Sequence, residues 1–369
     1  MSAVAPVIQP STRHAVARKA PDRMQAGGMS MSCTCFIIPT ETLKRFARDK
    51  RLTAAQRKVF ADSAAFEPHW RKLRVVQAKT SAVASHSFAG APARIVAPTV
   101  TVFDCTTGTT LPGAPIADPD ATAKRVLDET AAVGEFYRTV FGRNSLDRHG
   151  MTLQSSIHYG VSYNNAFWNG TQMTYGDGDG TIFLDFTRSS DVIAHELTHG
   201  VTQYSARFDY TNEAGGLNES VSDVFASMFR QWRRKQTVSK ADWLIGREIL
   251  GPGAAQRGYK CIRDLARPSG KHCLVPQADH YSQLKAGMEP HVTSGVPSLA
   301  FYKAAKAIGG KSWEVTGQIW YRALTDFAPS PKAKMKTFAG RTRRLAKTLY
   351  PANTSVQTAV DEAWAAVGL

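Results

Sequence analysis

His195, Glu196 and His199 stand in the order His-Glu-x-x-His within DVIAHELTHGVTQY, residues 191–204. On a helix, positions i and i+4 share one face, so two imidazoles there can bind one Zn²⁺. Glu196 then points near the open coordination position and can act as general base on a metal-bound water. The chemistry would be metal-assisted hydrolysis. The plain alternative is a helix with two surface histidines. A structural zinc takes four protein ligands, whereas a hydrolytic one takes three and a water. The candidate third ligand is Glu219, in NEAGGLNESVSDVFASMF over 212–229, on a predicted helix that opens after Gly215-Gly216. Asp223 falls one turn further along the same face. Asn218 and Asp223 are placed to hold the outer nitrogens of the two histidines. Read without the histidines, Glu219 is equally an exposed helix acid.

HELTHGVTQY followed by NEAGGLNESVSD resembles the paired zinc motifs of the thermolysin family of metalloendopeptidases. NNAFWNGTQMTYGDGDG, residues 164–180, is similar to that family's substrate-binding edge strand and loop. PHVTSGVPSLAFY, residues 290–302, resembles the segment that bears its catalytic histidine. The resemblance spans about residues 95–369 and implies a two-lobed α+β zincin, with a β-rich N-terminal lobe, a central His-Glu-x-x-His helix and a mostly helical C-terminal lobe. It implies one catalytic Zn²⁺ on His195, His199 and Glu219, with Glu196 as base and proton carrier. His291 and Tyr210 would stabilise the oxyanion, and Asn165, Ala166 and Arg263 would bind substrate. The substrates would be proteins or peptides with a large apolar residue after the scissile bond. CFIIPTETLKRF, residues 35–46, resembles the short propeptide of the protealysin-like branch. That implies a zymogen inhibited by its own N-terminal segment and cut near 78–98.

The sequence departs from the family at two places. Ala286 stands where an aspartate usually orients the catalytic histidine; Glu289 is near, but Pro290 restricts it, so His291 is expected to be poorly fixed. Arg230 stands where relatives carry a calcium-binding acid, so the double Ca²⁺ site is expected to be absent although Asp191 remains. The loop YGDGDG lacks EF-hand spacing, with Ile182 and Arg188 at the sixth and twelfth positions from Asp177. Asn169-Gly170-Thr171 and Asn218-Glu219-Ser220 match the glycosylation triplet by chance. A thiolate from Cys33 or Cys35 could fill the open zinc position as a latency switch, and Cys261 and Cys273 could close a short loop as a disulfide.

The elements that must position these residues follow from periodicity. Two short helices are predicted in 36–64, the second capped by Thr53. RIVAPTVTVFDC reads as a strand and 121–141 as a helix. Residues 152–187 read as strands, SIHYGVSY and TIFLDF, joined by Gly/Asp/Asn turns. Helices are predicted over 189–206, 216–235, 239–250, 295–309, 312–328, 333–349 and 354–366. The expected units are a disordered tail over 1–30, a propeptide and linker over 31–93, and two lobes over 94–205 and 206–369. Hydrophobic residues make up 43% of 369, enough for a sizeable core. No run of 18 apolar residues marks a membrane span. The formal charge is +16, and residues 1–89 hold 15 Lys and Arg against 5 Asp and Glu. This excess, with RTRRLAK at 341–347, admits a polyanion binder, but no aromatic-interleaved basic motif supports specific nucleic-acid binding. A weakly active or non-catalytic zinc-binding protein on the same scaffold is the other alternative. The resemblance implies secretion, yet residues 1–30 carry no apolar stretch after Arg13, Arg18 and Lys19. Cytoplasmic storage and non-standard export are therefore both open.

Overall fold

The computed structural model describes residues 35–66 and 96–369. The tail at 1–30, Cys33 and the linker at 78–93 fall outside them. The chain begins with β1 (Cys35–Phe36), α1 (Thr40–Ala47) and α2, helical over 54–66. The N-terminal lobe follows as β2 (Val100–Asp104), β3 (Ala114–Pro115), α3 (Ala121–Phe141), β4 (Leu153–Ile157), β5 (Ala166–Trp168) and β6 (Met173–Tyr175). One six-stranded sheet runs in the order β1-β5-β6-β4-β2-β3. Its middle is parallel, β2 to β4 and β4 to β6, while β5 pairs antiparallel with both β6 and β1.

Local chemistry accounts for the sharper boundaries. Thr53 and Gln56 form a capping box at the start of α2: Gln56 N–H donates to Thr53 Oγ1 at 3.2 Å, and Thr53 N–H to Gln56 Oε1 at 2.9 Å. Asp120 caps α3 by accepting from Ala123 N–H at 2.7 Å, and Gly142 ends it in the left-handed region, φ 62°.

The chain then becomes helical. α4 (Ser190–Gln203) is buried over nearly its whole length and packs along α5 (Asn212–Arg233). Gly200 lets α4 approach the sheet, since a Cβ there would lie 2.7 Å from Leu146 and 3.2 Å from Trp168. Gly215 and Gly216 lie inside α5 rather than before it. A Cβ on Gly216 would meet Thr293 at 2.4 Å, so the pair serves a close helix–helix approach and does not start the helix. Beyond α5 come β7 (Leu244–Ile245), α6 (Pro252–Ala255), β8 (Arg263–Asp264) and α7 (Pro290–Thr293). The last four helices are α8 (Gly295–Ile308), α9 (Thr316–Thr325), α10 (Met335–Leu349) and α11 (Thr354–Ala365). The β-rich lobe, central helix and helical C-terminal half agree with the expected α+β fold.

Two expectations are corrected. Residues 239–250 are not a helix: Trp243 and Gly246 take positive φ, 60° and 66°, and Leu244–Ile245 pairs with Arg263–Asp264 instead. TIFLDF is not a strand. The Asp179 carboxylate takes the N–H groups of Ile182 and Phe183, leaving a single bridge from Phe183 to Leu250. Arg230 is buried at the former acid position, where its guanidinium reaches Asp191 Oδ2 at 2.5 Å and also bonds Asp242. Cys261 and Cys273 are not disulfide-bonded.

Candidate active site

α4 and α5 face one another across the seam of the two halves and bring five of the expected residues together. His195 Nδ1 lies 2.8 Å from Asp223 Oδ1, and His199 Nδ1 lies 2.9 Å from Asn218 Oδ1. With those outer nitrogens donating, both Nε2 lone pairs aim inward, and they stand 3.1 Å apart. Glu219 completes the group, 3.4 Å from His195 Nε2 and 3.6 Å from His199 Nε2. Both Glu219 oxygens are buried without a hydrogen-bond partner. Two lone pairs and a bare carboxylate converging at these spacings call for a cation, and edges of about 3.3 Å suit a tetrahedral Zn²⁺ with N and O ligands. The residues therefore fit the metal.

Without the cation, the electrostatics set the two histidines apart. Burial alone would depress His195, but the Asp223 and Glu219 carboxylates beside it raise it to about 9. Burial lowers His199 to about 3, so it is a neutral ligand. Burial opposes ionisation of Glu219 as well, yet His291, His199 and His195 hold it well below the usual range. Burial pushes Glu196 up to about 8, with His195 acting in the opposite direction. Glu196 Oε2 accepts from Trp168 N–H of the edge strand at 3.0 Å, while Oε1 has no partner.

The remaining expected residues line the same cleft. Tyr210 Oη is 3.4 Å from His291 Nε2. Arg263 is fully buried and donates to both Asp223 oxygens, at 2.7 and 2.8 Å. Asn165 and Ala166 sit at the start of β5. His291, Ala166, Arg263 and Asn165 all meet one segment of the chain itself. His291 Nε2 lies 2.7 Å from the Phe36 carbonyl, and Ile37 N–H donates to Ala166 O at 3.1 Å. Arg263 Nη1 donates to Ile37 O at 2.9 Å. Asn165 brackets Ile38, accepting its N–H at 3.0 Å and donating to its carbonyl at 2.9 Å. The Cys35 sulfur lies within 4.8 Å of ligand atoms of His199 and Glu219. Cys35 is disulfide-bonded, so neither a free thiolate nor an ordinary thiol stands beside the group.

His291 is better fixed than Ala286 led us to expect. Glu289 caps α7, accepting from Val292 N–H at 3.2 Å with one oxygen and meeting His291 Nδ1 at 2.5 Å with the other. The extended ψ of 133° that Pro290 favours at Glu289 is what turns its carboxylate onto the helix start. Replacing it should therefore matter. Glu289→Ala, in a chain begun at residue 96, is expected to lower kcat about 10- to 100-fold with little change in KM. Steady-state kinetics on a blocked peptide would check this, and an unchanged kcat would remove Glu289 from the site.

Two buried histidines and a carboxylate on paired helices, with Glu196 beside them, make the donor set of a hydrolytic zinc centre. The family model for the thermolysin metallopeptidase catalytic domain matches residues 114–203, and that for its α-helical domain matches 206–369. The chain belongs to the thermolysin metallopeptidase family, which makes it a zinc-dependent peptidase. It is 43% identical over 244 residues to an extracellular metalloprotease of Pectobacterium carotovorum subsp. carotovorum, covering 64% of this chain and 69% of that one. It is 37% identical over 284 residues to protease PrtS of a Photorhabdus strain, covering 73% and 76%. The solved precursor of protealysin from Serratia proteamaculans matches with a TM-score of 0.77 at 34% identity, covering 90% of this chain and 99% of that one. No helix among the described residues is long and apolar enough to cross a membrane.

Proposed function

We propose that the chain is a zinc endopeptidase held latent by its own residues 35–66, and that it cleaves before large apolar residues. The carrying observation is that Phe36-Ile37-Ile38 makes the backbone hydrogen bonds a substrate would make. Ile37 is buried at the position that follows the scissile bond. His195, His199 and Glu219 would hold the metal. When bound, Zn²⁺ would polarise the scissile carbonyl and acidify a water. Glu196 takes the proton from that water and delivers it to the leaving amine. His291 and Tyr210 donate to the developing oxyanion, and donors of this kind are worth about 3 kcal/mol each. Asn165, Ala166 and Arg263 hold the chain beyond the scissile bond, and Asn218 and Asp223 fix the imidazoles.

Latency follows from the same contacts. β1 adds to the open edge of β5, so no substrate strand can pair there. α1 is anchored by Phe46, whose ring lies 5.1 Å from Phe60 and 6.2 Å from Phe183, and by Arg45, which donates to Leu274 O at 3.0 Å. The Cys35 sulfur, within 4.8 Å of the His199 and Glu219 ligand atoms, would crowd an attacking water, which would let a substrate-like segment escape cleavage. Arg230 supplies a fixed cation among Asp191, Asp242 and Glu248, so no Ca²⁺ is expected there.

The test is hydrolysis of a blocked peptide with Leu after the scissile bond. A chain begun at residue 96 should cleave it, a zinc chelator should abolish cleavage, and the intact chain should be nearly inert. A truncated chain that binds zinc and cleaves nothing would overturn the catalytic reading. An intact chain as active as the truncated one would overturn latency.

A further inference from the structure

Away from the catalytic centre, Cys261, His272 and Cys273 converge beneath the strand that carries Arg263. Both cysteines are fully buried and unbridged, and their sulfurs lie 3.8 Å apart. Cys273 Sγ is 3.7 Å from His272 Nε2, and the three ligand atoms all lie within 4.8 Å of one another. Tetrahedral Zn²⁺ with Zn–S near 2.3 Å and Zn–N near 2.05 Å requires S···S of about 3.8 Å and S···N of about 3.6 Å. Asp264 Oδ2 lies 2.8 Å from His272 Nε2, while Asp264 Oδ1 is occupied in accepting from Ala266 and Arg267 N–H groups.

The backbone holds this arrangement ready. Lys260 N–H donates to His272 O at 2.9 Å, and Leu274 N–H donates to Cys261 O at 2.9 Å. Gly270 makes room for the imidazole, since a Cβ there would lie 2.3 Å from His272 Cε1.

We propose that Cys261, His272 and Cys273 hold a second zinc ion, separate from the catalytic one, that clamps β8 to residues 272–275. Two soft thiolates and an imidazole select zinc over calcium or magnesium. Its effect falls on Arg263, two residues from Cys261, which contacts both Asp223 and the bound segment. It falls also on Leu274, whose carbonyl receives Arg45 of α1.

The proposal is tested on the full chain, folded with zinc under mild reduction, by elemental analysis of metal per chain. Wild type is expected to hold two zinc ions, and Cys261→Ser/Cys273→Ser to hold one. His195→Ala/His199→Ala should retain one, and combining the two pairs should leave none. The catalytic-site variant thus reads the second site independently of any activity. Cobalt(II) supplied to His195→Ala/His199→Ala should give thiolate-to-metal charge-transfer absorption that survives Cys35→Ser. His272→Gln keeps both thiols and covers the case in which the cysteine variants fail to fold; it should weaken that absorption and lower zinc affinity by tenfold or more. One zinc in wild type, a count unchanged by the cysteine variants, or absence of the thiolate band would overturn the proposal. So would recovery of a Cys261–Cys273 disulfide from protein alkylated without reduction.

Discussion

Glu196→Gln is expected to leave the catalytic zinc bound and to lower kcat/KM by about 10³- to 10⁴-fold. The substitution preserves the side chain's shape, and the amide oxygen can still accept from Trp168 N–H, which now meets the carboxylate at 3.0 Å. What it removes is the oxygen that takes the water's proton, Oε1, which is buried with no partner. Because the three ligand side chains are untouched, the change should appear in kcat while KM stays within a few-fold. The measurement pairs steady-state kinetics of the chain begun at residue 96 with its zinc content. Residual activity above a tenth of wild type would show that another group takes the proton. If the weakly active alternative were right, the wild type would already be near the variant's rate and the ratio would collapse.

The two halves of the metal group were legible because the information in each is local. His195 and His199 are one turn apart on one helix, as are Glu219 and Asp223, and periodicity alone puts each pair on a shared face. The packing of α4 against α5 was legible only through resemblance, since nothing in either helix states which neighbour it meets. Gly215 and Gly216 misled on the start of α5: their small size answers to Thr293 and Pro290, far along the chain. Residues 239–250 misled for the same reason. Leu244 and Ile245 have helical spacing with Ile249, but they pair with Arg263–Asp264, and the positive φ of Trp243 breaks any helix. Glu289 was underrated because Pro290 was taken only as a restriction, whereas the extended conformation it favours is what brings the carboxylate to His291. The pairing of β1 with β5 uses backbone groups, which every residue carries, so side chains could not announce it. Cys261, His272 and Cys273 lack metal-ribbon spacing, and only the fold brings Cys261 to the other two.

Ile37→Ala in the full chain is expected to raise the activity of the uncut precursor by about 100-fold. Truncating a fully buried Ile costs about 2–5 kcal/mol, and here the loss falls on the docked segment and not on the catalytic halves. About 3 kcal/mol is roughly two decades in an equilibrium between docked and released segment. The tether keeps the local concentration of the segment at about millimolar or above, so partial latency should persist. The contacts at Asn165, Ala166, Arg263 and His291 are left intact, so the variant precursor, once cut, should reach the wild-type rate. Initial rates on precursor confirmed intact by mass would measure the effect, with the variant Lys50→Ala on exposed surface as control. A variant precursor that stays as inert as wild type would mean that the Ile37 pocket contributes little, leaving latency to α1, α2 and the Cys35 sulfur. A hundredfold gain would tie latency and specificity to one pocket: the residue that silences the enzyme is a large apolar side chain placed directly after the Phe36 carbonyl, and the preferred substrate would present the same.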